Sequence, residues 1–289
     1  MLQAKSALAA PPPMMTRSAR SIMRAIILPA MNSMSAGRTD AELSRSNRRF
    51  YDSLWSEARL IEPERFNTWP LVRSLVASSR SRVEVGPGLR PRLPLRGTQF
   101  IDISGQALAR LRERGGQVVM GSILSLPYAD GAFDLVCALD ILEHLDDEDR
   151  VLSELSRISC VGAAFLIATP LHPSHWTRFD DFVGHRRRYE PQRLLDKLGA
   201  HGFAVEQSAV YGMQVKSSRV LDWGMWWMTH QRERAMWWYN RVMMPLVLRF
   251  QKKLTLVPGM IDTDGVDEIF LLCRKKATRV PLEDTARLP

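Results

Sequence analysis

The stretch from Arg82 to Ser104, RVEVGPGLRPRLPLRGTQFIDIS, constrains the fold of this chain more than any other part of it. A short apolar strand containing Val83 and Val85 closes on Gly86-Pro87-Gly88, and a second short strand ends at Asp102. Glycine allows backbone N–H groups to approach a ligand because no Cβ stands in the way. An acid at the tip of the second strand can accept hydrogen bonds from both hydroxyls of a ribose. The order of strand, glycine turn and acid therefore predicts a site for a nucleoside-containing cofactor.

Downstream of Ser104 the chain alternates between apolar strands and amphipathic helices. Helices are predicted over 107–114, 148–158 and 191–200, and strands over 117–120, 135–139, 163–168, 203–211 and 268–273. Upstream, a helical stretch at 62–76 contains Pro70, which should kink the helix or restart it. Fully apolar strands need helices on both faces of a sheet, so this alternation predicts an α/β fold built on a parallel sheet.

The composition excludes several classes of protein. The 289 residues are 45% hydrophobic and 25% charged, which fits one large folded domain with appendages, or two small ones. The net charge of +9 admits an anionic partner such as nucleic acid, an acidic membrane surface or a phosphorylated substrate, but an arginine-rich composition explains it equally well. The three cysteines show no CxxC pairing, which indicates buried thiols in a reducing compartment. No run approaches the ~18 apolar residues of a membrane-spanning helix.

The N-terminal residues 1–39 carry five basic side chains and no acidic one, and they are rich in Ala, Ser, Met and Pro. This composition fits a mitochondrial transit peptide, a disordered tail, or a start site placed too far upstream, and we favour disorder. The predicted organisation is a disordered basic extension at 1–39, one folded domain at 40–276 and a C-terminal tail at 277–289.

An insertion at 212–266, before the last predicted strand, is rich in tryptophan, methionine and basic residues. Trp226-Trp227 and Trp237-Trp238 lie eleven residues apart, close to three turns of a helix, so both pairs should face nearly the same way. Tryptophan interleaved with arginine and lysine on an amphipathic helix suits a lipid headgroup interface. It equally suits a lid over an apolar acceptor, core packing or a contact between two copies of the chain.

Five motifs together resemble one family. They are VEVGPG at 83–88, FIDIS at 100–104, GSILSLPYADGAFDLV at 121–136, LDILEHL at 139–145 and GHRRRYEPQRLLDKLGAHGF at 184–203. In this order the sequence resembles the class I S-adenosylmethionine-dependent methyltransferases, in the type 11 group that includes quinone-biosynthesis methyltransferases. The resemblance covers about 47–276 without the insertion. It implies a Rossmann-like fold with a seven-stranded, mostly parallel sheet flanked by helices, here with a Trp-rich helical insertion before the last strand.

The resemblance also implies S-adenosyl-L-methionine as cofactor and methyl transfer to a small, apolar or lipid-like acceptor. In the family the glycine turn carries the methionine moiety, the acid after the second strand holds the ribose, and the residues after Gly121 flank the adenine. The cofactor-binding residues carried over are Glu84, Gly86, Pro87, Gly88, Asp102, Ile103, Ser122, Ile123 and Asp140.

Two positions depart from the family pattern. Arg90 replaces the third glycine of the loop and is followed by Pro91 and Pro94, so an ordinary first helix does not fit there, and we expect a loop or one helical turn. Arg90 or Arg92 could take over the carboxylate of the cofactor, or both could be solvated. Ser122 stands where the family has an acid, so its adenine contact should be weaker or supplied by the backbone.

His144 is the candidate catalytic base, because it follows a strand end at the donor site and an imidazole titrates near neutral pH. The alternative is a histidine that shapes the pocket. His172 and His175 follow the fifth strand, where acceptor loops lie in the family. The arginines at 186–188 could bind an anionic acceptor or form a solvated run that positions Tyr189. No His, Asp or Glu set has convincing metal spacing, so no metal site is predicted.

Three other functions are compatible with parts of the sequence. A nicotinamide-dependent dehydrogenase shares the strand, glycine turn and acid, but the sequence lacks GxGxxG. A methyltransferase-like protein that binds cofactor without turnover is suggested by Arg90 and Ser122. Nucleic-acid methylation is supported by charge alone, and no nucleic-acid partner is expected. The expected location is cytoplasmic, with peripheral contact to the inner face of a membrane through the insertion, and with a homodimer as a further option.

Overall fold

The computed structural model describes Trp55, residues 58–212 and residues 218–277. The predicted basic extension at 1–39 and nearly all of the predicted tail at 277–289 lie outside the described residues. The boundaries of the predicted folded domain therefore stay a prediction.

Eight strands form one mixed sheet in the described residues. They are β1 Arg82–Val85, β2 Thr98–Asp102, β3 Gln117–Met120, β4 Phe133–Leu139, β5 Ser159–Pro170, β6 Phe203–Val210, β7 Val257–Pro258 and β8 Glu268–Lys275. Their order across the sheet is β3-β2-β1-β4-β5-β8-β6-β7. The first five strands of that order pair in parallel, whereas β8 is antiparallel to both of its neighbours. This arrangement confirms the predicted mostly parallel α/β sheet.

The sheet has one strand more than the predicted seven. The additional strand is β7, two residues of the insertion that pair with Gln207 and Ser208 at the free edge of β6. The Ser208 hydroxyl stabilises the pairing of β7 with β6, because it donates to the Gly259 carbonyl at 2.7 Å and accepts from the Ile261 N–H at 2.8 Å. The insertion thus returns to the sheet along its edge before entering β8.

The helices begin and end at recognisable signals in the sequence. They are α1 Trp69–Ser78, α2 Gly105–Glu113, α3 Glu148–Ile158, α4 Arg178–Val183, α5 Pro191–Ala200, α6 Ser218–His230, α7 Arg232–Trp238 and α8 Met244–Arg249. Pro70 lies in the first turn of α1, which confirms that the helical stretch restarts there. The Ser104 side chain accepts from the Ala107 N–H and caps α2, and Asp147 caps α3 in the same way.

Helices cover both faces of the sheet, as the apolar strands require. On one face, buried side chains of β1, β4 and β5 pack against α3 and α5. On the other face, Val72 of α1 packs against alternate side chains of β4, β5 and β8, such as Cys137 and Phe270. Cys137 and Cys273 are buried and all three cysteines are free, as predicted. No described helix has both the length and the apolar character needed to cross a membrane.

A loop replaces the helix that would connect β1 to β2. Residues 86–97 contain turns and bends but no helix, which confirms the expectation drawn from Pro91 and Pro94. Leu89 and Leu93 are fully buried, and Leu93 packs with α1 on the second face of the sheet. The loop therefore fills the space in the core that a helix would occupy.

The insertion is helical, but its two tryptophan pairs do not share one helix. The backbone breaks at Gln231, with φ −138° and ψ 56°, between α6 and α7. The Gln231 carbonyl accepts from the Ala235 N–H at 2.9 Å and so begins the new helix. The prediction of a single helical segment is wrong, because this break separates the two tryptophan pairs, whereas their common face stays a prediction. Packing between the helices instead brings Trp227 and Trp238 together, with ring centroids 6.4 Å apart.

Candidate active site

The glycine turn after β1 has the backbone geometry that only glycine adopts easily. Gly86 has φ +64° and Gly88 has φ +52°, both in the left-handed region. A Cβ on Gly86 would lie 2.7 Å from Cδ1 of Ile141, and a Cβ on Gly88 would lie 2.3 Å from the Trp55 ring. The turn is therefore packed from two sides, and any side chain at either position would displace a neighbour.

Asp102 ends β2 beside this turn. One carboxylate oxygen accepts from the Gly88 N–H at 3.0 Å, and the other accepts from the Ser104 N–H at 2.8 Å. An acid at this position, at the tip of the second strand, is of the kind that accepts ribose hydroxyls. Ile103 follows on a half-buried bend. The structure thus brings the glycine turn and the acid together, as predicted, and the arrangement fits a nucleoside-containing cofactor.

Glu84 points to the opposite face of the sheet from Val83 and Val85. Its oxygens accept from the Arg92 N–H at 2.8 and 3.0 Å and from the Leu93 N–H at 2.8 Å. Burial raises the pKa of Glu84 to about 7, although these backbone hydrogen bonds and the Arg92 charge favour the ionised form. In this structure Glu84 holds the β1–β2 loop in place, a role that the resemblance did not predict.

The predicted adenine-flanking residues follow β3. The Ser122 hydroxyl accepts from the Leu124 N–H at 3.2 Å, which shapes the turn after Gly121. Ile123 is buried in the main core cluster. The turn is therefore held by its own side-chain and backbone contacts in the absence of the acid that the family has at Ser122.

Arg90 and Arg92 are both packed against aromatic rings, so neither is freely solvated. The Arg90 guanidinium lies 5.9 Å from the Trp55 ring centroid and 5.3 Å from that of Tyr239, and it donates to the Tyr239 hydroxyl. The Arg92 guanidinium lies 3.6 Å from the Phe66 ring centroid. Arginine stacks well on aromatic faces because its planar guanidinium is weakly hydrated.

Three aromatic residues at this site were not predicted from the sequence. Trp55 covers Gly88, Tyr239 receives Arg90, and Tyr211 accepts from Arg92 Nη2 at 3.0 Å. Trp55 carried a weak signal, since helices before the first strand can cap a cofactor pocket. Tyr211 and Tyr239 carried no such signal, because their partners, Arg92 and Arg90, are distant in sequence and are revealed only by the folded structure.

Three acidic side chains lie together at the ends of β4 and β8. Asp140 has φ 56°, which is uncommon for a residue with a side chain, and its N–H donates to the Ala168 carbonyl at 3.0 Å. Burial and the nearby Asp140 raise the pKa of Glu268 and of Glu143 well above the usual range. Asp140 next to the Glu268 carboxyl thus favours the protonated form of Glu268.

His144 ends a short helical turn, Leu142–His144, directly after Asp140. Burial lowers the pKa of His144 to about 4, and the neighbouring His185 and Arg186 contribute, although a hydrogen bond to the Gly184 backbone opposes the shift. The imidazole is therefore neutral at pH 7. His144 lies where the sequence placed it, beside the end of β4.

The loop after β5 is held by ion pairs and hydrogen bonds. His175 Nδ1 lies 2.7 Å from Asp267, and His172 Nε2 lies 2.8 Å from the Thr263 carbonyl. Among the arginines at 186–188, Arg187 pairs with Glu148 at 2.8 Å and Arg188 pairs with Asp180 at 2.8 Å. These two arginines thus neutralise buried acids of the scaffold and are not a solvated run. Their partner Glu148 also accepts from the Tyr189 hydroxyl at 2.6 Å, which fixes the buried Tyr189.

An open groove of about 840 Å³ lies on the insertion. Its lining residues are Trp227, Gln231, Glu233, Arg234, Trp237 and Trp238. None of the residues predicted to bind the cofactor lines this groove. The groove is therefore a feature of the insertion and not part of the glycine-turn site.

A family model for a methyltransferase domain matches residues 93–167. The match includes Asp102, Ser122, Asp140 and His144 but begins after the glycine turn, in the loop that departs from the family pattern. Ajmaline N-methyltransferase of Rauvolfia serpentina is 33% identical over 98 residues, which are 33% of this chain and 31% of the relative. Norajmaline N-methyltransferase of the same plant is 38% identical over 53 residues, 18% of each chain. This chain thus spans less than a third of the length of these relatives.

A solved structure of an S-adenosylmethionine-dependent methyltransferase from Thermotoga maritima superposes on 74% of this chain and 91% of its own, with a TM-score of 0.49 and 16% identity. The matched family model and the observed sheet order agree with the resemblance drawn from the motifs. Neither the dehydrogenase alternative nor the non-catalytic one receives support. Residues 93–167 of this chain therefore resemble the methyltransferase domain of the class I, S-adenosylmethionine-dependent type.

Proposed function

We propose that this chain transfers a methyl group from S-adenosylmethionine to a small-molecule acceptor. The observation that carries the proposal is the hydrogen bond from the Gly88 N–H to the Asp102 carboxylate at 3.0 Å. This bond unites the two parts of a nucleoside site, a turn without side chains and an acid that can hold a ribose. The matched methyltransferase domain gives the reaction class.

The chain's own residues have defined tasks in this proposal. Asp102 would hold the ribose hydroxyls, and the backbone of Gly86 and Gly88 would line the methionine end. S-adenosylmethionine supplies a methyl group that is already activated by the sulfonium charge. The protein therefore contributes mainly by aligning the acceptor with that methyl group and by excluding water. Asp140, at the end of β4, lies at the edge where these groups would meet.

His144 remains our candidate base for an acceptor that loses a proton on methylation. Its ring is neutral at pH 7, so it can accept a proton, although burial makes the ring a weak base. Changing His144→Ala should lower turnover roughly a hundredfold and leave donor affinity nearly unchanged. An equal loss of donor binding would instead assign His144 to shaping the pocket.

We infer an apolar or lipid-like acceptor from the insertion that packs on the glycine turn. Arg90 joins the loop after the turn to Tyr239, and Asn67 Nδ2 donates to the Lys252 carbonyl at 2.9 Å, so the insertion is fastened to the rest of the domain at its middle and in its C-terminal half. A lid rich in tryptophan and methionine would present a soft apolar surface to the acceptor. The exposed tryptophans also support peripheral contact with a membrane at the cytoplasmic face.

The test of the proposal is binding of S-adenosylhomocysteine, measured by calorimetry and by thermal unfolding. The ligand should raise the melting temperature, since a ligand at a hundred times its Kd stabilises the folded state by about 2.7 kcal/mol. Changing Asp102→Ala should remove most of that shift. Asp134→Ala is the matched control, because Asp134 also accepts two backbone N–H groups, from Arg80 and Ser81, but at the start of β4. No binding by the unaltered protein would end the methyltransferase proposal.

A further inference from the structure

Three metal-ligating side chains converge beside the end of β4. One ligand atom each from Glu143, His144 and His185 lies within 4.8 Å of the others. Glu143 and His144 come from the short turn after β4, and His185 comes from the loop between α4 and α5. The two elements are tied together by the Arg186 N–H, which donates to the Glu143 carbonyl at 2.6 Å. The sequence spacing gives no sign of this set, because His185 lies 41 positions after His144.

The Glu143 side chain is the second, independent sign of a ligand. It is only 1% exposed, and among the described residues its Oε2 has no partner at hydrogen-bond distance, although the Thr169 hydroxyl lies near the carboxyl group. A buried polar atom without a partner typically costs about 1–3 kcal/mol, and more when the group is charged. Buried polar groups of native proteins are generally satisfied by protein, water or an ion. A cation bound at Oε2 would remove this cost.

Each of the two histidine rings makes a hydrogen bond of the kind that metal-bound histidines make with their second nitrogen. His185 Nδ1 lies 2.9 Å from an Asp180 oxygen, and the ring of His144 makes a hydrogen bond to the Gly184 backbone. In metal sites the second ring nitrogen typically donates to a carboxylate or a carbonyl, which fixes the tautomer and the ring direction. Asp180 is itself rigid, since it is fully buried and accepts from Arg188 at 2.8 and 3.1 Å.

We infer that Glu143, His144 and His185 bind one divalent transition-metal ion, with zinc as the best fit. Two imidazoles and one carboxylate are a common ligand set of zinc sites that keep a fourth position for water or substrate. Magnesium fits poorly, because it prefers six oxygen ligands. The positive charges near the set are offset by acids, since Arg186 pairs with Asp146 at 3.6 Å and Arg188 pairs with Asp180 at 2.8 Å.

This site also bears on the role of His144 in the proposed methyl transfer, and only that consequence rests on the proposed function. A metal ion lowers the pKa of a bound water, so a metal-bound hydroxide would take the acceptor proton and become water, in place of a weakly basic imidazole. His144 would then be a ligand. Loss of His185 would then lower turnover as much as loss of His144. If His144 acts alone as the base, loss of His185 should leave turnover nearly unchanged.

The experiment uses the untagged full chain, stripped of metal with a chelator. Zinc is titrated by calorimetry, and cobalt is titrated by visible absorption as a probe of tetrahedral coordination. We expect one ion per chain. The variants Glu143→Gln and His185→Asn should each weaken zinc binding by more than the roughly 10–100-fold that follows loss of an outer partner such as Asp180. Because His185 lies on a loop, its variant tests the site even where the buried Glu143→Gln change prevents folding.

The matched control is His201→Ala. His201 also faces a carboxylate, with Nε2 3.1 Å from Asp149, but it lies outside the set and should bind zinc as the unaltered protein does. S-adenosylhomocysteine affinity is measured on the same samples, so that failure of the metal site and failure of the methyltransferase proposal are separate results. Absence of stoichiometric zinc, or equal zinc affinity in His185→Asn and His201→Ala, overturns the inference.

Discussion

Glu84 lies buried in β1, where its carboxylate accepts backbone hydrogen bonds from Arg92 and Leu93. The resemblance assigned Glu84 to the cofactor, but here one side chain organises the loop that replaces a helix. Backbone N–H groups of a loop need partners when they are buried, and a helix would have satisfied most of them internally. The carboxylate supplies those partners, so the loss of the helix and the burial of Glu84 are two parts of one arrangement.

The raised pKa of Glu84 makes the stability of the protein depend on pH. Its folded pKa of about 7 exceeds the ordinary value of 4.5, so its protonated form is favoured in the folded state. The resulting stability is fully present below pH 4.5 and is lost as pH rises through about 7, a change of about 3 kcal/mol. Relative to Glu84→Gln, the unaltered protein should lose that amount between pH 4.5 and about 8. Urea unfolding of both proteins over this range checks it, and parallel curves would contradict it.

At the scale of elements, the side chains of Arg90 and Tyr239 link the loop after the glycine turn to the insertion. Arg90 stacks between Trp55 and Tyr239 and donates to the Tyr239 hydroxyl. Both partners of Arg90 lie outside the cofactor motifs. This contact between Arg90 and Tyr239, which we call the clasp, agrees with the proposed lid, because a lid must be coupled to the loop that it covers.

Breaking the clasp should loosen the lid and speed release of the bound ligand. Tyr239→Phe keeps the ring but removes the hydroxyl, and a hydrogen bond to a charged group is worth about 1.5–3 kcal/mol. We expect S-adenosylhomocysteine to dissociate at least about tenfold faster, measured by stopped-flow fluorescence. Arg241→Ala is the control, since Arg241 stacks on Trp237 at 5.8 Å within the insertion and does not touch the turn. Equal release rates in the two variants would reject the lid.

At the scale of the whole molecule, the chain combines a net charge of +9 with exposed tryptophans on the insertion. Four tryptophans of the insertion, at 223, 226, 237 and 238, are 43–59% exposed. Each tryptophan removes roughly 150–250 Å² from water when it is buried, so such a face gains by meeting a bilayer, an acceptor or a second copy. The excess of basic residues favours an anionic membrane among these partners.

Flotation with anionic liposomes tests this partner. The full chain should float at low salt and less so at high salt, because ionic screening weakens the attraction. Changing Trp226, Trp227, Trp237 and Trp238 to Ser should abolish flotation, whereas Trp176→Ser, at a 38% exposed position outside the insertion, should not. If the unaltered protein stays at the bottom of the gradient and elutes as a monomer, the membrane role is excluded and the lid is the remaining role of the insertion. If it does not float and elutes as a dimer, the exposed tryptophans belong to a contact with a second copy.

Local patterns in the sequence were sufficient for most of the fold. The bounds of α3 and α5 were predicted to the residue, since apolar periodicity and a proline at the first turn are local signals. The missing helix between β1 and β2 followed from Pro91 and Pro94 by steric exclusion alone. The pairing of Gly88 with Asp102 was also predictable, because parallel strands bring their carboxyl ends to one edge.

The tertiary structure decided what depends on contacts between distant parts of the chain. The edge strand β7, the break at Gln231 and the clasp between Arg90 and Tyr239 have no local signal, because packing of the insertion against the sheet creates them. The convergence of His185 on the turn after β4 is of the same kind, since a backbone hydrogen bond from Arg186 to Glu143 brings it there. Sequence spacing reports only which residues share a helix or a strand. The partners of a buried carboxylate or an exposed indole are fixed by folding in three dimensions.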